Sequence, residues 1–127
     1  MVSKYLVNLP KTVDVGWTSF DIVLTRGLSV EGTPCFGLTD FDSHVIQIDD
    51  SVSDNSARYT IIHEIAHVLL STVGLGEECL EESGIEVTNE FLAESLGRSF
   101  LLFHNLNHEL WDYLFTNHKE VTKNVSS

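Results

Sequence analysis

Apolar and polar residues alternate with a period of two over the first third of the chain and recur at helical spacing over the rest. Residues 12–15 and 18–24 alternate on either side of Gly16 and Trp17, which predicts two strands with Gly16 serving the turn between them. Residues 29–34 include Gly32 and Pro34 and read as a loop. A short strand is expected at 35–38, a polar turn at 39–43, and a better strand at 44–48. There Ile46 and Ile48 point one way, Val45 and Gln47 the other.

The polar stretch 49–55 carries helix-start chemistry, with Ser53 or Asp54 as the N-cap. The helix it opens runs to about Val73 and stops at Gly74. Its expected apolar stripe is Ile62, Ile65, Ala66, Leu69 and Val73. An acidic surface connection at 74–84 leads to a second long helix over about 85–103. The apolar side of that helix is expected from Val87 or Thr88, Phe91 or Leu92, Leu96, Ser99, Phe100 and Phe103. Residues 105–108 break the pattern. A third helix over about 109–116 offers Leu110, Trp111, Leu114 and Phe115 for packing, and the polar residues 117–127 are expected to fray.

Length and composition narrow the picture. A chain of 127 residues with 43% hydrophobic content fits one domain with its own core. Seven Lys and Arg against 19 Asp and Glu leave a net charge of -12. A surface of that sign repels phosphate backbones and argues against nucleic acid as a partner. No apolar run reaches membrane-spanning length, and the first residues lack a signal-peptide pattern. Cys35 and Cys79 stand far apart, as structural thiols in a reducing compartment would. These features predict a cytoplasmic protein with no membrane partner, and they leave its oligomeric state open.

Within the first long helix stands His63-Glu64-Ile65-Ala66-His67, an HExxH stretch. On a helix the two imidazoles project from one face, one turn apart. Two nitrogen ligands so placed can close on one divalent ion, for which Zn²⁺ is the usual choice. Glu64 lies beside the first ligand, where a carboxylate can act as general base on a water at the ion. A shuffled copy of this chain would contain the pattern with a chance of roughly 0.02, so accident is a weak explanation. The plainer alternative is an amphipathic helix with two surface histidines.

A catalytic zinc site normally has three protein ligands and one open position. The metzincin continuation HExxHxxGxxH is excluded, because Leu70 and Val73 occupy the Gly and His places. Asp112 is the only aspartate after the motif, which leaves Glu86, Glu90 and Glu94 on the next helix. Asn89-Glu90-Phe91-Leu92-Ala93-Glu94 resembles the NExxxD/E signature of gluzincins. That resemblance implies Glu90 as the third ligand and Glu94 as the acid holding a zinc histidine by its N–H. The gap from His67 to Glu90 is longer than in the type member. A solvated acidic stripe, with Glu94 paired to Arg98, is the alternative.

Over most of its length the chain resembles the small zincin-like metallopeptidases of tailed phages and prophages, similar in layout to the ImmA/IrrE-type peptidase domain. The resemblance is carried by Leu9-Pro10-Lys11-Thr12-Val13 with Gly16, by Phe36-Gly37-Leu38-Thr39-Asp40 leading into Val45-Ile46-Gln47-Ile48-Asp49, and by Thr60 to His67. It continues through Asn89 to Glu94 and closes on Asn107-His108-Glu109-Leu110, where His108 departs from the family's proline. It implies an α+β zincin: a small twisted sheet on the HExxH helix, followed by two C-terminal helices. It also implies zinc and hydrolysis of a peptide bond in a specific protein substrate; some ImmA/IrrE members cleave repressors or regulators. Zincin layout further implies that the strand at 45–48 is the sheet edge nearest the cleft, to which a peptide adds as an antiparallel strand. Tyr59, His104, His108 and Tyr113 are the candidates for a second electrophile. The contrasting expectation is a zincin-fold module that binds zinc and a partner, virion-associated or otherwise, without proteolysis. Glu64 favours the enzyme, since a closed structural site needs no base.

Overall fold

A computed structural model of the chain describes residues 2, 4–75 and 88–115. Glu86, Cys79, most of the acidic connection and the tail from 117 lie outside the described residues. The chain is α+β, with a small mixed sheet and helices. It opens on a one-turn helix, α1 (Lys4–Val7), which the strand pattern did not predict and whose Leu6 is buried in the core. Strands β1 (Thr12–Asp14) and β2 (Ser19–Thr25) follow as an antiparallel pair. Gly16 turns between them at φ +99°, a left-handed conformation natural to glycine.

Residues 29–34, expected as a loop, form a two-stranded ribbon: β3 (Ser29–Val30) and β4 (Thr33–Pro34). Glu31 and Gly32 both have positive φ, the signature of a type I′ hairpin turn. The ribbon is fastened by Asp49, whose Oδ1 accepts from the Leu28 N–H at 2.9 Å. The Ser51 hydroxyl donates to the same carboxylate. These bonds, the Ser51 hydroxyl first, hold the Asp49 carboxyl below its ordinary value of 3.8.

β5 (Gly37–Asp40) and β6 (Val45–Asp49) complete the sheet, in the order β1-β2-β6-β5. β6 runs parallel to β2 and antiparallel to β5. The expectation that residues 45–48 form the sheet edge is therefore corrected: β6 is interior and β5 is the edge. The reason lies in the residues, because Ile46 and Ile48 are fully buried and Val45 and Gln47 half-buried. A strand covered on both sides belongs inside a sheet.

Helix α2 (Asp54–Thr72) starts on the Ser53 cap, whose hydroxyl accepts from the Ser56 N–H, and ends before Gly74 at φ +82°. Its buried face is Ala57, Thr60, Ile61, Glu64, Ile65, Val68 and Leu69. The expected stripe coincides with this face only in part: Ile65 and Leu69 are buried, while Ala66 is exposed and Ile62 half-buried. A buried glutamate in the middle of the apolar face masks the helical period. The core forms where this face meets Val13, Phe20, Ile22, Ile46 and Ile48 of the sheet.

Helix α3 (Asn89–Leu106) starts on Thr88, later than expected, and α4 (His108–Phe115) follows after one residue. Ser95, Ser99 and Phe103 make the buried seam of α3, while Phe91, Leu92, Leu96 and Phe100 are exposed. The Ser99 hydroxyl satisfies itself on the Ser95 carbonyl at 2.8 Å, which lets a polar pair lie at a helix seam. Leu110 and Leu114 of α4 enter the core. Asn107, between the two helices, joins them to the sheet. Its Oδ1 accepts from the Asp14 N–H at 2.7 Å, and its Nδ2 donates to the Asp14 carbonyl at 2.8 Å.

Candidate metal centre

His63 and His67 sit one helical turn apart on α2, both exposed, with ring centroids 4.8 Å apart. Their Nε2 atoms face each other at 3.1 Å. Two nitrogens bound tetrahedrally at ordinary zinc–nitrogen lengths lie about 3.3 Å apart, so the pair fits a shared ion. Glu64, beside them on α2, is 7% exposed and lies between the histidines and the sheet. Its Oε2 stands 4.0 Å from His63 Nε2. The ligand atoms of His63, Glu64 and His67 all lie within 4.8 Å of one another.

Two residues of the edge strand hold Glu64 in place. The Thr39 hydroxyl donates to Glu64 Oε1 at 2.8 Å. Gly37, two residues earlier on the same face of β5, allows the strand to press against α2. A Cβ there would lie 2.6 Å from Thr60 Cγ2 and 3.0 Å from Glu64 Cγ. Any side chain at position 37 would push the strand off the helix or move the glutamate. Neither residue was singled out from chemistry in the sequence. The usable signal was a glycine inside a strand, which marks close approach of backbone to something else.

Beyond Gly37 a cleft of about 470 Å³ opens, with His63 and Glu64 at one end and Asn55 and Ser56 among its lining residues. The rings of Phe36 and Tyr59 form walls of it. Tyr59 lies beside His63, with centroids 5.8 Å apart. The other candidates for an electrophile are engaged elsewhere. The Tyr113 hydroxyl donates to the Tyr5 carbonyl, and His104 packs against both His108 and Trp111 near the junction of α3 and α4.

Glu90 and Glu94 are not brought into this cluster. Among the described residues, the grouped ligand atoms are those of His63, Glu64 and His67. Glu90 is exposed in the first turn of α3. Glu94 is also exposed and stands 4.0 Å from the Arg98 guanidinium, the i, i+4 pairing that its spacing allowed. Among the described residues, no helix is long and apolar enough to cross a membrane. No protein-family model, curated protein or solved structure matches the chain.

Proposed function

We propose that the chain is a zinc metallopeptidase of zincin-like layout, acting on a peptide bond of a specific protein in the cytoplasm. The observation that carries this reading is the pairing of two opposed imidazole nitrogens with a buried, strand-anchored carboxylate at the end of a cleft. His63 and His67 would hold the ion through Nε2. When bound, zinc supplies Lewis acidity to a carbonyl and lowers the pKa of a water.

Glu64 serves as the general base: it takes a proton from the attacking water and returns it to the leaving amine. The Thr39 hydroxyl occupies Oε1, leaving Oε2 turned toward the imidazoles as the proton acceptor. A site that only braced the fold would have no use for such an arrangement. Among the described residues β5 is the edge of the sheet, which supports substrate pairing. The Asp49 N–H donates to the Phe36 carbonyl across the β5–β6 pair. Alternation in an antiparallel ladder then turns the N–H and C=O of Gly37 and Thr39 outward, ready for an added strand.

The third ligand in this reading is Glu90, nominated by its motif alone, with Glu94 supporting a histidine. Metal analysis tests both assignments. Purified protein should carry about one zinc per chain, lost in His63→Ala and in Glu90→Ala and retained in Glu94→Ala. Zinc retained in Glu90→Ala removes that ligand from the proposal, and a wild-type chain that binds no zinc ends the reading. Glu64→Gln should keep the metal and trap a partner that the wild type cleaves.

A further inference from the structure

We propose that two copies of the chain pair through α3, antiparallel about a two-fold axis at the level of Leu96, with Glu94 of each copy facing Arg98 of the other. The pairing does not depend on the peptidase reading. Phe91, Glu94, Arg98 and Leu101 follow one another at steps of three, four and three residues, the spacing of a coiled-coil seam. They therefore share one face of α3. All four are exposed: Phe91 by 42% and Leu101 by 66%, the Glu94 and Arg98 side chains by 58% and 76%. Ser95, Ser99 and Phe103, which bury against the rest of the chain, lie on another side of the helix. The exposed face is left over once α3 has packed on its own core.

The order of charges along this face selects the occupant. A two-fold axis at the level of Leu96 sets position 94 against position 98 and position 91 against position 101. Each acid then meets a base, and each Phe91 ring packs on Leu101 of the other copy, one apolar layer on either side of the charges. A parallel pair would bring Glu94 onto Glu94 and Arg98 onto Arg98, and like charges there repel. A basic amphipathic helix is drawn to a chain of net charge -12 at long range, but on this face it would set a cation against Arg98. Within one chain Glu94 and Arg98 stand 4.0 Å apart in water, an arrangement worth little by itself. Between two helices the same residues fix direction and register, as polar residues at seam positions do. An α3 of 18 residues is about 27 Å long, so the contact is small and the copies separate on dilution. A Glu94 carboxylate turned to the other copy does not support a zinc histidine, and the two assignments compete.

Sedimentation equilibrium of the full chain from about 10 µM to 1 mM, in about 0.15 M salt to screen the net charge, tests the pairing. Wild type should be half dimeric near about 100 µM. Arg98→Glu and Glu94→Arg each set like charges against one another in both pairs, and each alone should weaken dimerisation at least about 30-fold. Mixed in equal amounts, the two variants should form a heterodimer about as tight as the wild-type dimer, because every pair is again opposite in sign. The double variant Glu94→Arg with Arg98→Glu should likewise pair with itself. Leu101→Asp should weaken the dimer and gain nothing from mixing with either single variant. Circular dichroism should match wild type throughout, since the substituted side chains are exposed. A wild type that stays monomeric at about 1 mM overturns the proposal, and does so equally if a basic helical peptide binds this face instead. A dimer that neither charge reversal weakens meets through another surface and overturns the seam. Two weakened single variants that form no heterodimer overturn the antiparallel register.

Discussion

Helix α2 spans 19 residues and α3 spans 18, and each begins on a hydroxyl cap, Ser53 in one and Thr88 in the other. Both carry residues proposed for the metal centre. On α2, seven residues are buried against sheet and helices, and Glu64 is among them. On α3, the buried residues among those described are the seam of Ser95, Ser99 and Phe103, and Glu90 and Glu94 lie in solvent. A carboxylate held by a hydroxyl and a neighbouring strand has already lost its rotamer freedom in the folded protein. An exposed one still has that freedom, and ordering it costs entropy when it binds. Chemistry that needs a placed base is better founded on α2 than on α3.

The contrast can be broken most directly by truncation. Ile61 of α2 is fully buried and Leu101 of α3 is 66% exposed. Ile61→Ala should cost about 2–5 kcal/mol in urea unfolding, and Leu101→Ala within about 0.5 kcal/mol. Similar losses at the two sites would show that α3 is as well packed in solution as α2. Next in size is Asn107→Ala. It strands the Asp14 N–H and carbonyl that bind α3 and α4 to β1, and about 2–3 kcal/mol should be lost. Hydrogen exchange should then show the C-terminal helices opening ahead of α2.

Gly37→Ala sharpens the comparison at the site itself. The added methyl meets Thr60 and Glu64, so about 1–3 kcal/mol should be lost. Zinc binding should survive because the added methyl meets Thr60 and Glu64 and neither imidazole; loss of zinc would show that β5 also positions the histidines. A further effect concerns acid. The Asp49 carboxyl titrates below its ordinary value in the folded chain, so its contribution is complete above 3.8 and is lost as pH falls through the lower folded value. Asp49→Asn should flatten this part of the acid limb of stability, and an unchanged limb would mean that the Ser51 and Leu28 bonds do not persist in solution. The smallest change is expected at Glu94→Gln, whose partner Arg98 is solvent-exposed. Unfolding free energy should move by less than about 1 kcal/mol.

Much of the order of elements was legible from local pattern. Alternation located β1, β2 and β6, the Ser53 cap and Gly74 bounded α2, and the HExxH spacing alone put two imidazoles on one face. These features depend on residues a few positions apart. The helix faces were less legible, because Glu64 on α2 and Ser95 and Ser99 on α3 are polar residues at buried positions. Hydropathy assigns such residues to solvent, and only a partner in space accounts for them. Thr39 is that partner for Glu64, 25 residues away in sequence.

By itself the sequence determined β1, β2 and β6, the extent of α2 and the two histidines, since each follows from backbone preference or helical geometry over a short stretch. Tertiary structure alone decided that β5 rather than β6 is the sheet edge, that Gly37 and Thr39 brace the glutamate, and that an aromatic cleft opens beside it. Those arrangements come from strand pairing and from the packing of a strand against a helix. Contacts of that kind join segments distant along the chain, and local periodicity carries no record of them.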